Sequence, residues 1–253
     1  AIDQLKAAGM EPISVGAGDS WPAAHYWYQF ALRHCAEQTL TDAVKTLDFS
    51  DQCFIRAGEE VERLVAAEPF NRGFLSTPAQ SGPTSASGLL ATGKVAMEMQ
   101  GHWEPGVMAG LTEDGEGLGD KLGWFPFPEV EGGEGDPAAQ LGGGDAWGVS
   151  ADAPPEAVEF VRFMLSDEVQ RGFAERNMGL PTNPNAGDAV ADPALAGLLE
   201  VRDSAPYVQL YFDTAFGQSV GGAMNDAIAL MFAGQASPQD IVDATQAAAD
   251  AEG

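Results

Sequence analysis

The stretch Gly93-Lys94-Val95-Ala96-Met97-Glu98-Met99-Gln100-Gly101-His102-Trp103 is a short apolar strand pattern that ends at a glycine. It delivers a large flat ring just beyond the strand. A ring in that place can stack on the apolar face of a sugar while neighbouring polar groups take the hydroxyls. A lone tryptophan is more simply read as core, and two further junctions shift that balance. Trp21 follows the turn Gly18-Asp19-Ser20, and Trp147 follows Gly142-Gly143-Gly144-Asp145. All three rings fall at strand–loop junctions, where open α/β sheets bind ligands. Glycine turns also let backbone amides approach a ligand closely.

Working outward, the chain reads as many helices and few short strands, which fits an α/β or α+β arrangement. Residues 1–9 look like the tail of an amphipathic helix stopped by Gly9, and a chain that opens in mid-helix is expected to continue upstream. A short strand is expected at 11–17 and another at 95–99. Pro22 starts a helix carrying Tyr26, Trp27, Phe30, Ala31 and His34 at helical spacing. Trp27 is expected mostly in the core, and His25 and His34 on a helix surface or in the cysteine loop. Asp51 is a candidate cap for a helix over 54–67, and Ser166 for the second half of a broken helix over 155–177. Residues 122–128 are extended by two prolines, so Trp124 is a packing residue. The segment 141–150 reads as a glycine turn feeding a short strand. Helices are expected near 193–203, 216–233 and 237–251, the last with Pro238 in its first turn.

Composition excludes several partners. The 253 residues carry 38 acidic and 12 basic side chains, a formal charge of -26. Nucleic acid and anionic membrane surfaces are therefore poor partners. No apolar run is long enough to span a bilayer. Hydrophobic residues make up 45% of the chain, enough for a sizeable core. Cys35 and Cys53 flank a loop containing Asp42, Asp48 and Asp51. A metal site has little support without CxxC or HxxxH spacing. A disulfide closing the loop, and with it an oxidising compartment, is the preferred reading.

Catalytic signatures are weak. Glu98, Glu104, Asp145 and Asp213 could supply the carboxylate pair of a secreted acidic glycoside hydrolase, though their spacing requires no pair. There is no GxSxG elbow, and Gly142-Gly143-Gly144 lacks the lysine or spacing of a phosphate loop. Neither a cofactor nor a metal is indicated. Recognition of a neutral polar ligand fits better. Trp103, Trp21, Gly143, Gly144, Asp145 and Trp147 are the candidate site residues, with Glu104 and Asp213 as carboxylates for hydroxyl contacts.

An ordered set of segments carries a resemblance. It comprises Leu5-Lys6-Ala7-Ala8-Gly9-Met10-Glu11-Pro12-Ile13 with Trp21-Pro22, and Leu90-Ala91-Thr92-Gly93-Lys94-Val95-Ala96-Met97 leading to Gly101-His102-Trp103. Gly143-Gly144, Phe163-Met164-Leu165-Ser166-Asp167-Glu168-Val169-Gln170, Gly179-Leu180-Pro181-Thr182-Asn183 and Phe232-Ala233-Gly234-Gln235-Ala236-Ser237-Pro238 complete it. The chain resembles the extracellular solute-binding proteins of carbohydrate ABC importers, the family-one, maltodextrin-binding-like group. That resemblance implies a type II periplasmic-binding-protein-like α/β fold, two lobes closing on a sugar, no catalysis, and delivery to a membrane permease. It implies a periplasmic or lipid-anchored, extracellular location. Trp103 becomes the aromatic platform of the cleft, with Trp21 and Gly143-Gly144-Asp145 lining it. The match is to the C-terminal portion: 1–128 as the first part of the C-terminal lobe, 129–190 completing the N-terminal lobe, and 191–253 as the helical remainder. The start of the N-terminal lobe lies upstream in the family, so an incomplete sheet and self-association through its edge are expected.

Overall fold

Helix α2 (Trp21–His34) is buried along nearly its whole length, its own aromatic and small residues packing into the core of the chain. The computed structural model describes residues 1–143 and 146–252. In chain order it contains α1 (Ile2–Ala7), β1 (Glu11–Ser14), α2, α3 (Glu37–Thr46), α4 (Gln52–Ala66), α5 (Ala86–Ala91) and β2 (Val95–Glu98). Then follow α6 (Glu104–Ala109), β3 (Gln140–Gly142), α7 (Pro155–Met164), α8 (Asp167–Glu175) and α9 (Pro193–Ser204). The chain ends with β4 (Val208–Leu210), α10 (Phe212–Ala215), α11 (Gln218–Phe232) and α12 (Pro238–Glu252). This is a helix-rich α/β fold with short strands. β1 pairs in parallel with β2, Ile13 opposite Met97, and β3 pairs in parallel with β4, Leu141 opposite Gln209. No helix among the described residues is long and apolar enough to cross a membrane.

The chain divides into two units. The first comprises Ala1–Met99, Phe125–Gly143 and Ala205–Gly253; the second comprises Gln100–Trp124 and Gly144–Ser204. In the first, α2, α4, α11 and α12 pack on one another around an aromatic core. Trp27 stacks on Phe54 at 6.1 Å and meets Phe212 edge-on at 5.9 Å. Phe49 lies edge-on to Phe216 at 4.8 Å, and Phe212 stacks on Phe216 at 5.3 Å. Such pairs add about 0.5–1.5 kcal/mol each beyond simple burial.

Local signals account for the helix ends. Asp51 Oδ1 accepts from the Cys53 amide at 2.8 Å and caps α4. Ser166 caps α8 through the Val169 amide, and Gly9, with φ +77, stops the chain's first helix in a conformation that penalises other residues. The Cys35–Cys53 disulfide ties the end of α2 to the start of α4. The far end of α2 also needs donors for its last carbonyls. The segment 125–143 supplies them: Gly135 N donates to Arg33 O at 3.0 Å and Glu134 N to His34 O at 3.2 Å. In return the buried Arg33 guanidinium donates to Ala139 O and Phe127 O, each at 3.1 Å.

The strand near the glycine run is Gln140–Gly142, before the turn; residues 146–150 are not strand. A strand exists only where a partner supplies its ladder, and among the described residues the three of β4 pair with 140–142. The helix expected over 216–233 is present as α11, Gln218–Phe232; Gly217, φ +85, is its N-cap and separates it from the unexpected short helix α10. α3 was not legible, because it buries only Leu40 and Ala43. His25 and His34 are buried, at 8% and 4% exposure, not on a helix surface. Most of their helix is covered by other elements, with only Trp21 and Gln29 partly exposed.

Candidate functional site

In the first unit α2 places Trp21, His25 and Tyr28 at i, i+4 and i+7, one above the other on a single helix face. Trp21 lies edge-on to His25 at 5.0 Å, and Tyr28 is tilted against it at 5.4 Å. His25 stacks on Tyr211 at 4.6 Å, so the end of strand β4 delivers a ring to the same face. Trp21 and Tyr211 are half-buried. Tyr211 is hydrogen-bonded back to strand β3, its amide donating to Gly142 O at 2.9 Å. Its ring lies directly against the backbone of Gly143, and a Cβ there would collide with it. Glycine is required at 143 for that close approach.

Next to Tyr211, α10 presents Asp213. Its Oδ1 accepts from the Thr214 amide at 2.8 Å, and its Oδ2 accepts from Asn225 Nδ2 at 3.1 Å. The Tyr28 hydroxyl donates to Asn225 Oδ1. Burial lowers the His25 pKa to about 4, with the Asp213 charge opposing that shift only in part. His25 is therefore a neutral imidazole at pH 7, able to donate or accept. Burial, and then the negative charge of Asp213, push the Tyr28 hydroxyl well above its ordinary range, so it stays protonated and donating. The arrangement offers flat apolar rings beside an oriented carboxylate and uncharged polar groups, which suits a hydroxyl-rich neutral molecule.

In the second unit Trp103 precedes α6 and its Nε1 donates to Gln100 Oε1 at 3.1 Å. The ring is half-buried and packs over Gly101, where a side chain would collide with it. His102 lies edge-on to Trp103 at 5.6 Å, and its Nδ1 accepts from the Leu180 amide at 3.0 Å. Glu104 opens α6 and is buried. Trp147 is 58% exposed and meets Phe160 of α7 edge-on at 6.2 Å.

Of the sequence-stretch candidates, Trp21, Gly143 and Asp213 thus belong to the first unit, and Trp103, Glu104 and Trp147 to the second. Gly144 and Asp145 lie outside the described residues. Within the first unit the structure adds His25, Tyr28, Tyr211 and Asn225, which the sequence reading missed. The spacing of Trp21, His25 and Tyr28 was visible in the sequence; nothing there indicated that Tyr211 and Asn225 meet the same face. Among the described residues no group of three or more His, Cys, Asp or Glu could hold a metal ion.

The bacterial extracellular solute-binding protein family matches residues 1–171. Comparison with curated protein sequences gives no match. A solved structure from work on xylan utilization by the thermophilic bacterium Caldanaerobius polysaccharolyticus superposes with a TM-score of 0.85 at 25% identity, over 98% of this chain and 63% of the other. A chitin oligosaccharide binding protein gives a TM-score of 0.84 at 22% identity, over 99% and 62%. The solute-binding protein RafE in complex with raffinose gives 0.68 at 19% identity, over 97% and 62%. The last two are likenesses of fold. The chain spans less than two thirds of the length of these solved relatives. The architecture is periplasmic-binding-protein-like, and with a family match over well more than half its length, the chain belongs to the bacterial extracellular solute-binding proteins.

Proposed function

We propose that this protein binds a neutral sugar or oligosaccharide without turning it over, and hands it to the membrane permease of an ABC importer. The observation that supports this reading most is the gathering of Trp21, His25, Tyr211 and Asp213 on one face of the first unit. Rings take the apolar face of a pyranose, and the carboxylate takes paired hydroxyls. Solved relatives of the same fold include a chitin oligosaccharide binding protein and a raffinose complex, which supports the same ligand class. Trp103, with Glu104 close by in sequence, is the proposed platform of the second unit; Trp147, Gly143, Gly144 and Asp145 are proposed to line the site. The interlobe cleft and its closure are carried over from the family resemblance, as is the periplasmic or lipid-anchored location. The lobe assignment proposed is that of the family resemblance, 1–128 and 191–253 to the C-terminal lobe and 129–190 to the N-terminal lobe.

Calorimetric titration and tryptophan quenching with mono-, di- and oligosaccharides test this. At least one sugar should bind, and Trp21→Ala and Trp103→Ala should each weaken it about tenfold, or about 1.4 kcal/mol. Parent affinity in both variants would remove the rings from the site. Released reducing ends would replace the reading with that of a secreted glycoside hydrolase acting through two of Glu98, Glu104, Asp145 and Asp213.

A further inference from the structure

The first unit contains a buried polar relay that ends on the carboxylate of the proposed site. Tyr28 is fully buried in α2, one helical turn below His25. Its hydroxyl donates to Asn225 Oδ1 on α11, and Asn225 Nδ2 donates to Asp213 Oδ2 at 3.1 Å. Three elements, α2, α11 and α10, thus converge on one carboxylate. Tyr28 has a second job as a wall of the aromatic core, edge-on to Phe212 at 5.4 Å. The hydroxyl is consequently held by packing and cannot swing away. Asn225 is half-buried and has both ends of its amide engaged, so its orientation is set from behind.

Asp213 is also half-buried, and its other oxygen is held locally by the amide of Thr214 at 2.8 Å and the Thr214 hydroxyl at 3.4 Å. A carboxylate offers about four acceptor positions. The contacts from Asn225 and Thr214 fix its plane while leaving capacity for ligand hydroxyls. The Thr214 contacts are local, whereas the Asn225 contact comes from a residue twelve positions away on α11.

Resting on the sugar-binding reading above, we propose that Asn225 is a positioning residue. Held by Tyr28, it fixes the Asp213 carboxylate beside His25 and Tyr211, so that the ligand's hydroxyls meet it in one orientation. Preorganisation of this kind strengthens binding by removing the ordering loss at the moment of contact.

The test is a double-mutant cycle in sugar affinity on the 253-residue chain, read by calorimetry with the tightest sugar found for the parent. Asn225→Ala should weaken binding about tenfold when Asp213 is present. On an Asp213→Asn background the same change should weaken it by less than about twofold, because the group it positions has been altered. Tyr28→Phe, which removes only the hydroxyl, should weaken binding in the same direction and likewise lose its effect on that background. Near-ultraviolet circular dichroism establishes that each variant retains its packed aromatic core. An equal loss in both backgrounds would reduce Asn225 to a structural role and overturn the proposal, as would parent affinity in Asn225→Ala. A parent chain that binds no sugar would overturn the functional reading itself, and this inference with it.

Discussion

The two units differ in how they cover their apolar surface. In the first, the largest side chains are sealed: Trp27, Tyr28, Phe49, Phe54 and Phe212 are all under 2% exposed. In the second, α7 has no buried residue, and Phe160, Phe163 and Val158 stand 53%, 55% and 41% exposed. Yet α2 and α7 both carry apolar residues at helical spacing. The contrast teaches that an amphipathic pattern specifies a helix and a face, while burial depends on whether another element arrives to cover that face.

Mutations should expose this difference. Phe54→Ala opens a cavity between Trp27 and Phe49 and should destabilise the chain by about 3–5 kcal/mol in urea unfolding. Phe160→Ala should change stability by under about 1 kcal/mol, since half the ring is already in water. Similar losses at both sites would dissolve the contrast.

Removing the brace comes next in size. Cys35→Ser with Cys53→Ser frees an 18-residue separation, and chain entropy puts the loss at about 3 kcal/mol. The same denaturation experiment checks it; an unchanged midpoint would mean that helix packing alone fixes the α2–α4 junction.

His25 makes the comparison pH-dependent. Its folded pKa, about 4, lies below the unfolded value of 6.5. The native state therefore binds fewer protons between these values. The stability from the neutral imidazole is full above pH 6.5 and is lost as pH falls toward 4. Between pH 7 and pH 4 the parent should lose on the order of 3 kcal/mol more than His25→Gln. Parallel pH profiles for the two proteins would place His25 in water.

The smallest effect belongs to the exposed stripe. Phe163→Ser should shift stability within about 0.5 kcal/mol, while reducing binding of a hydrophobic dye and self-association in analytical ultracentrifugation. Undiminished dye binding would assign the exposed apolar surface elsewhere.

Much of the fold was readable because its signals are local. The Asp51 and Ser166 caps, the proline at the start of α2 and the glycine after α1 each act within one helical turn. The apolar run ending at Trp103 likewise announced a strand and a ring beyond it. What was misread depended on distant partners. The strand at the glycine run moved ahead of the turn because β4, some seventy residues later, pairs with 140–142. α3 was invisible because two buried residues leave almost no periodic trace. Of the candidate site residues, Trp21, Gly143 and Asp213 were chosen for residue type and turn context, and all three fall in the first unit beside partners that no spacing could name.

The linear order of residues determined helix and strand type, most caps, the cysteine pair and the acidic surface, because backbone propensity, capping and net charge are set by neighbours along the chain or by composition. Only the tertiary structure decided that His25 is a neutral buried ring, that Gly143 must leave room for Tyr211, and that Tyr28 and Asn225 stand behind Asp213. Those depend on desolvation and on contacts between residues as much as 197 positions apart, as for Tyr28 and Asn225. Such energies come into being when the elements pack.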